Sequence, residues 1–113
     1  MKRIINLVLL VLASSPAFTM SDPFAVYVRT AYPPEIVTIK EAANYVLAPL
    51  GYQYIDDYPS PLDAASIGDS RIPPIAKIHR IMPIIDALQL LIGEQNYIVI
   101  DSNNKLVSFT RVP

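Results

Sequence analysis

The chain has no cysteine, one histidine and three glycines in 113 residues. Without cysteine there is no disulfide, no thiol chemistry and no acceptor for a lipid behind an export signal. His79 alone cannot assemble a metal site of ordinary ligand spacing, and no Ser-His-Asp arrangement follows from spacing. It reads as a strand residue with a structural role. The few glycines form no phosphate-cradling loop, and no two carboxylates are set as an acid–base pair. Asp56, Asp57, Asp63 and Asp69 lack the ligand spacing and the glycine of a calcium loop. With no nucleophile, metal or cofactor motif, the expectation is a protein that is not an enzyme and takes no cofactor.

What is present begins with an export signature. Lys2-Arg3 precede the apolar stretch Ile4–Ala13, and Ser15-Pro16-Ala17 places small residues where a signal peptidase reads. The apolar stretch is about ten residues, half of the roughly 20 a membrane-spanning helix needs. The expectation is a signal peptide over residues 1–17, a periplasmic location, and membrane contact only through that segment if it stays uncleaved. Removing Lys2 and Arg3 leaves 7 basic residues (9 − 2) against 10 acidic ones, a formal charge of −3. No basic cluster follows, and the expectation is that nucleic acid is not a partner. Residues 18–113 form a single domain in this reading, large enough to hold itself together by core packing.

Along that domain, Phe24–Thr30 alternates, with Phe24, Val26 and Val28 on one face, and reads as a strand. Thr38 and Glu41 have capping-box spacing, and Ile39, Ala42, Ala43, Val46, Leu47 and Leu50 follow helical spacing. Pro49 distorts the end of that helix and Gly51 closes it. Tyr52–Ile55 reads as a short strand. Residues 56–74, bracketed by Pro59, Pro61, Pro73 and Pro74, read as a lid or spacer with one helical turn at most. Ala76–Ile81 reads as a third strand. Pro83 suits the first turn of a helix whose apolar face is Ile84, Ala87, Leu88, Leu91 and Ile92, with Gly93 as its stop. Tyr97–Ile100 and Leu106–Thr110 form a terminal hairpin, with Asn103-Asn104 supplying positive φ at the turn. The fold class is α+β: a small mixed sheet with two helices packed on it, in the order β-α-β-β-α-β-β.

This order resembles the short N-terminal domain of secretins and TonB-dependent signalling transporters. More closely, the chain resembles the PilL N-terminal domain family of type IVb pilus proteins from conjugative plasmids and integrative elements, with TcpQ-type proteins as further kin. The matching residues are Val37–Ala42 and Leu50-Gly51-Tyr52 around the first helix, Ile78-His79-Arg80 before the second, Asp86–Gln89 inside it, and Leu106–Phe109 in the last strand. The resemblance implies a periplasmic part of a conjugative pilus or transfer apparatus that docks to a secretin or another envelope protein. It supplies no catalytic residues.

For docking, an exposed sheet edge can pair with a partner strand. Phe24–Thr30 and Lys105–Pro113 are the edge candidates, the latter carrying Phe109 and Arg111, and the proline-bracketed segment is a third surface. Tyr52, Tyr54 and Tyr58 group around the second strand, and such rings anchor partner chains or stack on sugars. Two other readings stand beside the pilus adaptor: a periplasmic signalling domain, and a module that binds peptidoglycan through those tyrosines.

Overall fold

In the computed structural model, which describes residues 22–111, the sequence signal at Thr38 is realised in full. Thr38 Oγ1 accepts from the Glu41 N–H, and the Glu41 carboxylate accepts from the Val37 and Thr38 N–H groups. The reciprocal cap satisfies donors that every helix start leaves orphaned, and the threonine cap is worth about 1 kcal/mol. The Val37 N–H, followed by that of Thr38, holds the Glu41 carboxyl below its ordinary range. Helix α1 then runs Ile39–Leu47 and buries Ile39, Ala42, Ala43, Val46 and Leu47. Pro49 has no N–H to continue the ladder, so the chain tightens into a 3-10 turn at Ala48–Leu50, and Gly51 takes φ 77°.

Two more helices follow, α2 at Pro61–Asp69 and α3 at Ile84–Ile92. Helix α3 buries Ile84, Ala87, Leu88, Leu91 and Ile92, the face its spacing predicts, and Gly93 ends it at φ 84°. The strands are β1 Tyr27–Arg29, β2 Gln53–Tyr54, β3 Ile81–Pro83, β4 Asn96–Asp101 and β5 Leu106–Arg111. They form two sheets. β1 and β3 make an antiparallel ribbon, while β5 lies between β2, its parallel neighbour, and β4, its antiparallel one. On one face of that second sheet Tyr54, Val107 and Phe109 enter a continuous core with Val46, Leu47, Leu88 and Leu91.

The coarse α+β class stands, and five expectations are corrected. The strands do not share a single small sheet. Asp22 caps a 3-10 turn at Pro23–Ala25, which buries Phe24 edge-on against Tyr52 and delays β1 to Tyr27, so that Val26 is exposed. The Thr30 hydroxyl then donates to the Ile78 carbonyl and accepts from the Arg80 N–H, tying β1 to the β3 segment. Next, residues 56–74 are not a spacer. Pro61 occupies the first turn of a nine-residue helix that buries Ala64, Ile67 and Gly68. The third strand is Ile81–Pro83, because Pro73 and Pro74 start a 3-10 turn at Pro74–Lys77 instead. At the hairpin, the positive φ falls on Lys105 at 57°, not on Asn103-Asn104. The Asp101 carboxylate explains why: it accepts from the Asn103 and Asn104 N–H groups and from the Asn104 side-chain amide, holding the front of the turn. The signal-peptide reading of residues 1–17 lies outside the described residues.

Candidate functional site

Unmade backbone hydrogen bonds at a sheet edge are the simplest docking device a small domain has, so the edges decide where a partner strand can add. Of the candidate Lys105–Pro113, the described strand Leu106–Arg111 is not an edge, because β5 is the middle strand. Its N-terminal half pairs with β2, where the Ile55 N–H donates to the Val107 carbonyl. Farther along, the start of α2 covers it: Asp63 accepts from the Arg111 N–H, and the Thr110 hydroxyl meets Ser60. The outer side of β2 is also blunted, since the Tyr54 N–H donates to the Asn44 side chain at 2.8 Å. In the ribbon, β1 and β3 are three residues each and carry Arg29 and Pro83, features that discourage strand addition.

β4 carries such protection only at its ends, where Gln89 donates to the Asn96 carbonyl and Asp101 supplies a charge. It is six residues long, lies at the end of its sheet, and between Asn96 and Asp101 presents only Tyr97, Ile98, Val99 and Ile100. Tyr97 is 53% exposed and Ile100 39%. Among the described residues, β4 pairs with β5 alone. The register places Tyr97 beside Thr110, Val99 beside Ser108 and Asp101 beside Leu106 on the outer face. On that face Ile55, Tyr58 and Pro59 overhang Ser108 and close a cleft of about 30 Å³ with Val99 and Leu106. Ser108 is 3% exposed, and its hydroxyl has no hydrogen-bond partner among the described residues. A buried hydroxyl left unmade costs about 1–3 kcal/mol, so this apolar cleft contains one unused polar group beside the open edge.

The residues expected to dock divide sharply. Tyr52, Tyr54 and Phe109 are buried, the last at 0% exposure, and offer no face to a partner. The Tyr54 hydroxyl donates to the Ala64 carbonyl at 2.6 Å, and its ring lies 4.8 Å from that of Phe109. Burial raises the Tyr54 phenol above its ordinary range, with the Asp56 and Asp69 charges adding to the effect. The aromatic group expected to face a sugar is therefore largely core. Tyr58 is exposed and roofs the cleft. Arg111 is exposed, pairs with Asp63 at 3.4 Å and donates to Ser66. The four aspartates of the 56–69 segment do not converge: Asp63 meets Arg111 and Asp69 meets Lys40. Among the described residues there is no group of three or more potential metal ligands and no helix long and apolar enough to cross a membrane.

Tyr97, Val99 and Ile100 are the surface that sequence reasoning missed. The run of four uncharged apolar residues was visible, but strand order, which makes it an edge, is a property of the assembled sheet. Compared with known proteins, the chain matches no protein-family model, no curated protein and no solved structure.

Proposed function

We propose that the chain is a non-enzymatic periplasmic accessory component of a conjugative type IVb pilus or DNA-transfer apparatus. It acts by docking to a secretin or another envelope protein, whose strand adds to β4. One observation carries the docking: between its capped ends β4 presents the uncharged, proline-free run Tyr97–Ile100 at an open edge, while β2 and the end of β5 are capped by Asn44 and Asp63. Backbone hydrogen bonds supply the affinity of such a contact, and alternate side chains supply its selectivity. Tyr97 and Val99 would read the partner on one face and Ile100 on the other. The assignment to the pilus apparatus is supported by the PilL-like segments Val37–Ala42, Ile78–Arg80 and Leu106–Phe109. In this reading β1–α1 and β3–α3 are the two strand–helix units of a secretin-like N-terminal domain, with α2 between them.

The test is a photo-crosslinking residue placed at Tyr97, with Tyr27 on the ribbon as the comparison site, in cells that carry the conjugative element. The expected result is capture of a secretin or pilus-assembly protein from Tyr97, reduced at least tenfold by Ile100→Lys in a variant that remains folded. No capture above control, or capture unaffected by Ile100→Lys, would overturn the proposal.

A further inference from the structure

A second concavity lies away from the β4 edge and is independent of it. Tyr32, Pro33, Pro34 and Ile36 form its wall, Lys77 and His79 its other side, and the space between them is about 190 Å³. We propose that this groove binds the terminal carboxylate of a short peptide whose last side chain is apolar.

The polar side chains lining the groove point to an acceptor-rich ligand. Lys77 presents an ammonium with three donors and no acceptor, and His79 adds an imidazole N–H. Neither forms an ion pair among the described residues, although Glu35 sits in the turn between Pro34 and Ile36. Tyr32 contributes to the wall, while its hydroxyl is buried and has no hydrogen-bond partner among the described residues. Burial pushes that phenol up to about 12, so it stays protonated at neutral pH. Among the described residues, no carboxylate lines the groove. The remaining wall is apolar and includes two prolines, which lack an N–H, so a bound carboxylate is directed to Lys77 and His79.

The walls are stiff, which lowers the ordering cost of binding. Residues 77–80 are fixed by Thr30, whose hydroxyl donates to the Ile78 carbonyl at 2.7 Å and accepts from the Arg80 N–H at 3.0 Å. The opposite wall is held by the Ile36 N–H donating to the Pro33 carbonyl at 3.0 Å, and the Tyr32 ring packs edge-on against Tyr45. A cavity of about 190 Å³ accommodates a carboxylate together with an apolar side chain.

The experiment is an NMR titration of the ¹⁵N-labelled protein with N-acetyl-L-alanine, N-acetyl-D-alanine and N-acetyl-L-alaninamide. The expected result is saturable shifts of the Ile36, Lys77 and His79 amides with an acid, and at least tenfold weaker binding of the neutral amide. Lys77→Met is expected to weaken the acid at least tenfold while leaving the rest of the spectrum in place. Preference for the L form assigns the groove to protein C-termini, and preference for the D form to wall peptides. Equal binding of acid and amide, no saturable shift with either acid, or unchanged affinity in Lys77→Met would overturn the proposal. None of these outcomes bears on the β4 edge, so the two readings fail separately.

Discussion

Phe109→Ala is expected to lose about 3–5 kcal/mol of folding stability, the range for removing a buried aromatic ring. Phe109 is fully buried on the central strand, opposite Ile98, with its ring tilted 35° against Tyr54. Its position joins the three-stranded sheet to the helical layer, so little surrounding structure can collapse into the space left behind. A domain of this size holds about 5–15 kcal/mol in total, and the variant therefore gives up about a fifth or more of it. Urea unfolding followed by circular dichroism reads the change. A loss below about 1 kcal/mol would show that Phe109 is a surface residue, as an edge-strand placement of β5 requires.

The second large effect falls on Gly68 and runs against helix propensity. Glycine inside a helix is ordinarily about 1 kcal/mol worse than alanine, so propensity alone makes Gly68→Ala stabilising. Here a Cβ would stand 3.0 Å from both Cε2 and Oη of Tyr54 and 3.3 Å from Lys40 Cβ. The Tyr54 ring cannot readily give way, since its hydroxyl is bonded to the Ala64 carbonyl and its face packs on Phe109. Gly68→Leu is expected to cost about 3 kcal/mol by overpacking the α1–α2 contact, and Gly68→Ala to show no gain. Thermal and urea unfolding of both variants check it. A Gly68→Ala protein about 1 kcal/mol more stable than its parent would mean that α2 does not pack where it is placed.

The same contact shows how far the sequence could be read. Helices α1 and α3 were legible because each bears a stripe of large apolar residues and a recognisable start or stop: Thr38 with Glu41, Gly51, and Gly93. Helix α2 was not, because the face it buries is Ala64, Ile67 and Gly68. Small residues allow close approach of backbones but give almost no periodic hydrophobic signal, and the flanking prolines that looked like loop punctuation include the helix's own first residue. The strands of the terminal hairpin were legible from their β-rich runs, yet their neighbours were not. Nothing local to Leu106–Arg111 reveals that Gln53 and Tyr54 pair alongside it, or that Thr30 draws β1 away into a ribbon with β3.

The candidate site divides in the same way. Tyrosines were identifiable as potential anchors, but a tyrosine's two ends suit core and surface equally, and burial separates them. Tyr54 hides its hydroxyl on the Ala64 carbonyl, whereas Tyr58 and Tyr97 face solvent. Arg111 is exposed but already held by Asp63 and Ser66, which leaves it a clasp between β5 and α2. Surface ion pairs of this kind contribute little stability, about 0–1 kcal/mol, so Arg111 matters chiefly for covering the end of the β5 edge. What is left open is β4.

Amide hydrogen exchange, resolved by residue and run with and without the captured envelope partner, tests the docking edge most directly. Amides that point into a ladder exchange slowly, and those at a free edge exchange with solvent. The account predicts that Val107, Ser108 and Thr110 are protected throughout, that alternate amides from Tyr97 to Ile100 exchange fast in the free protein, and that these slow at least tenfold on docking. Fast exchange of the β5 amides, or β4 amides that do not change when the partner binds, would contradict it.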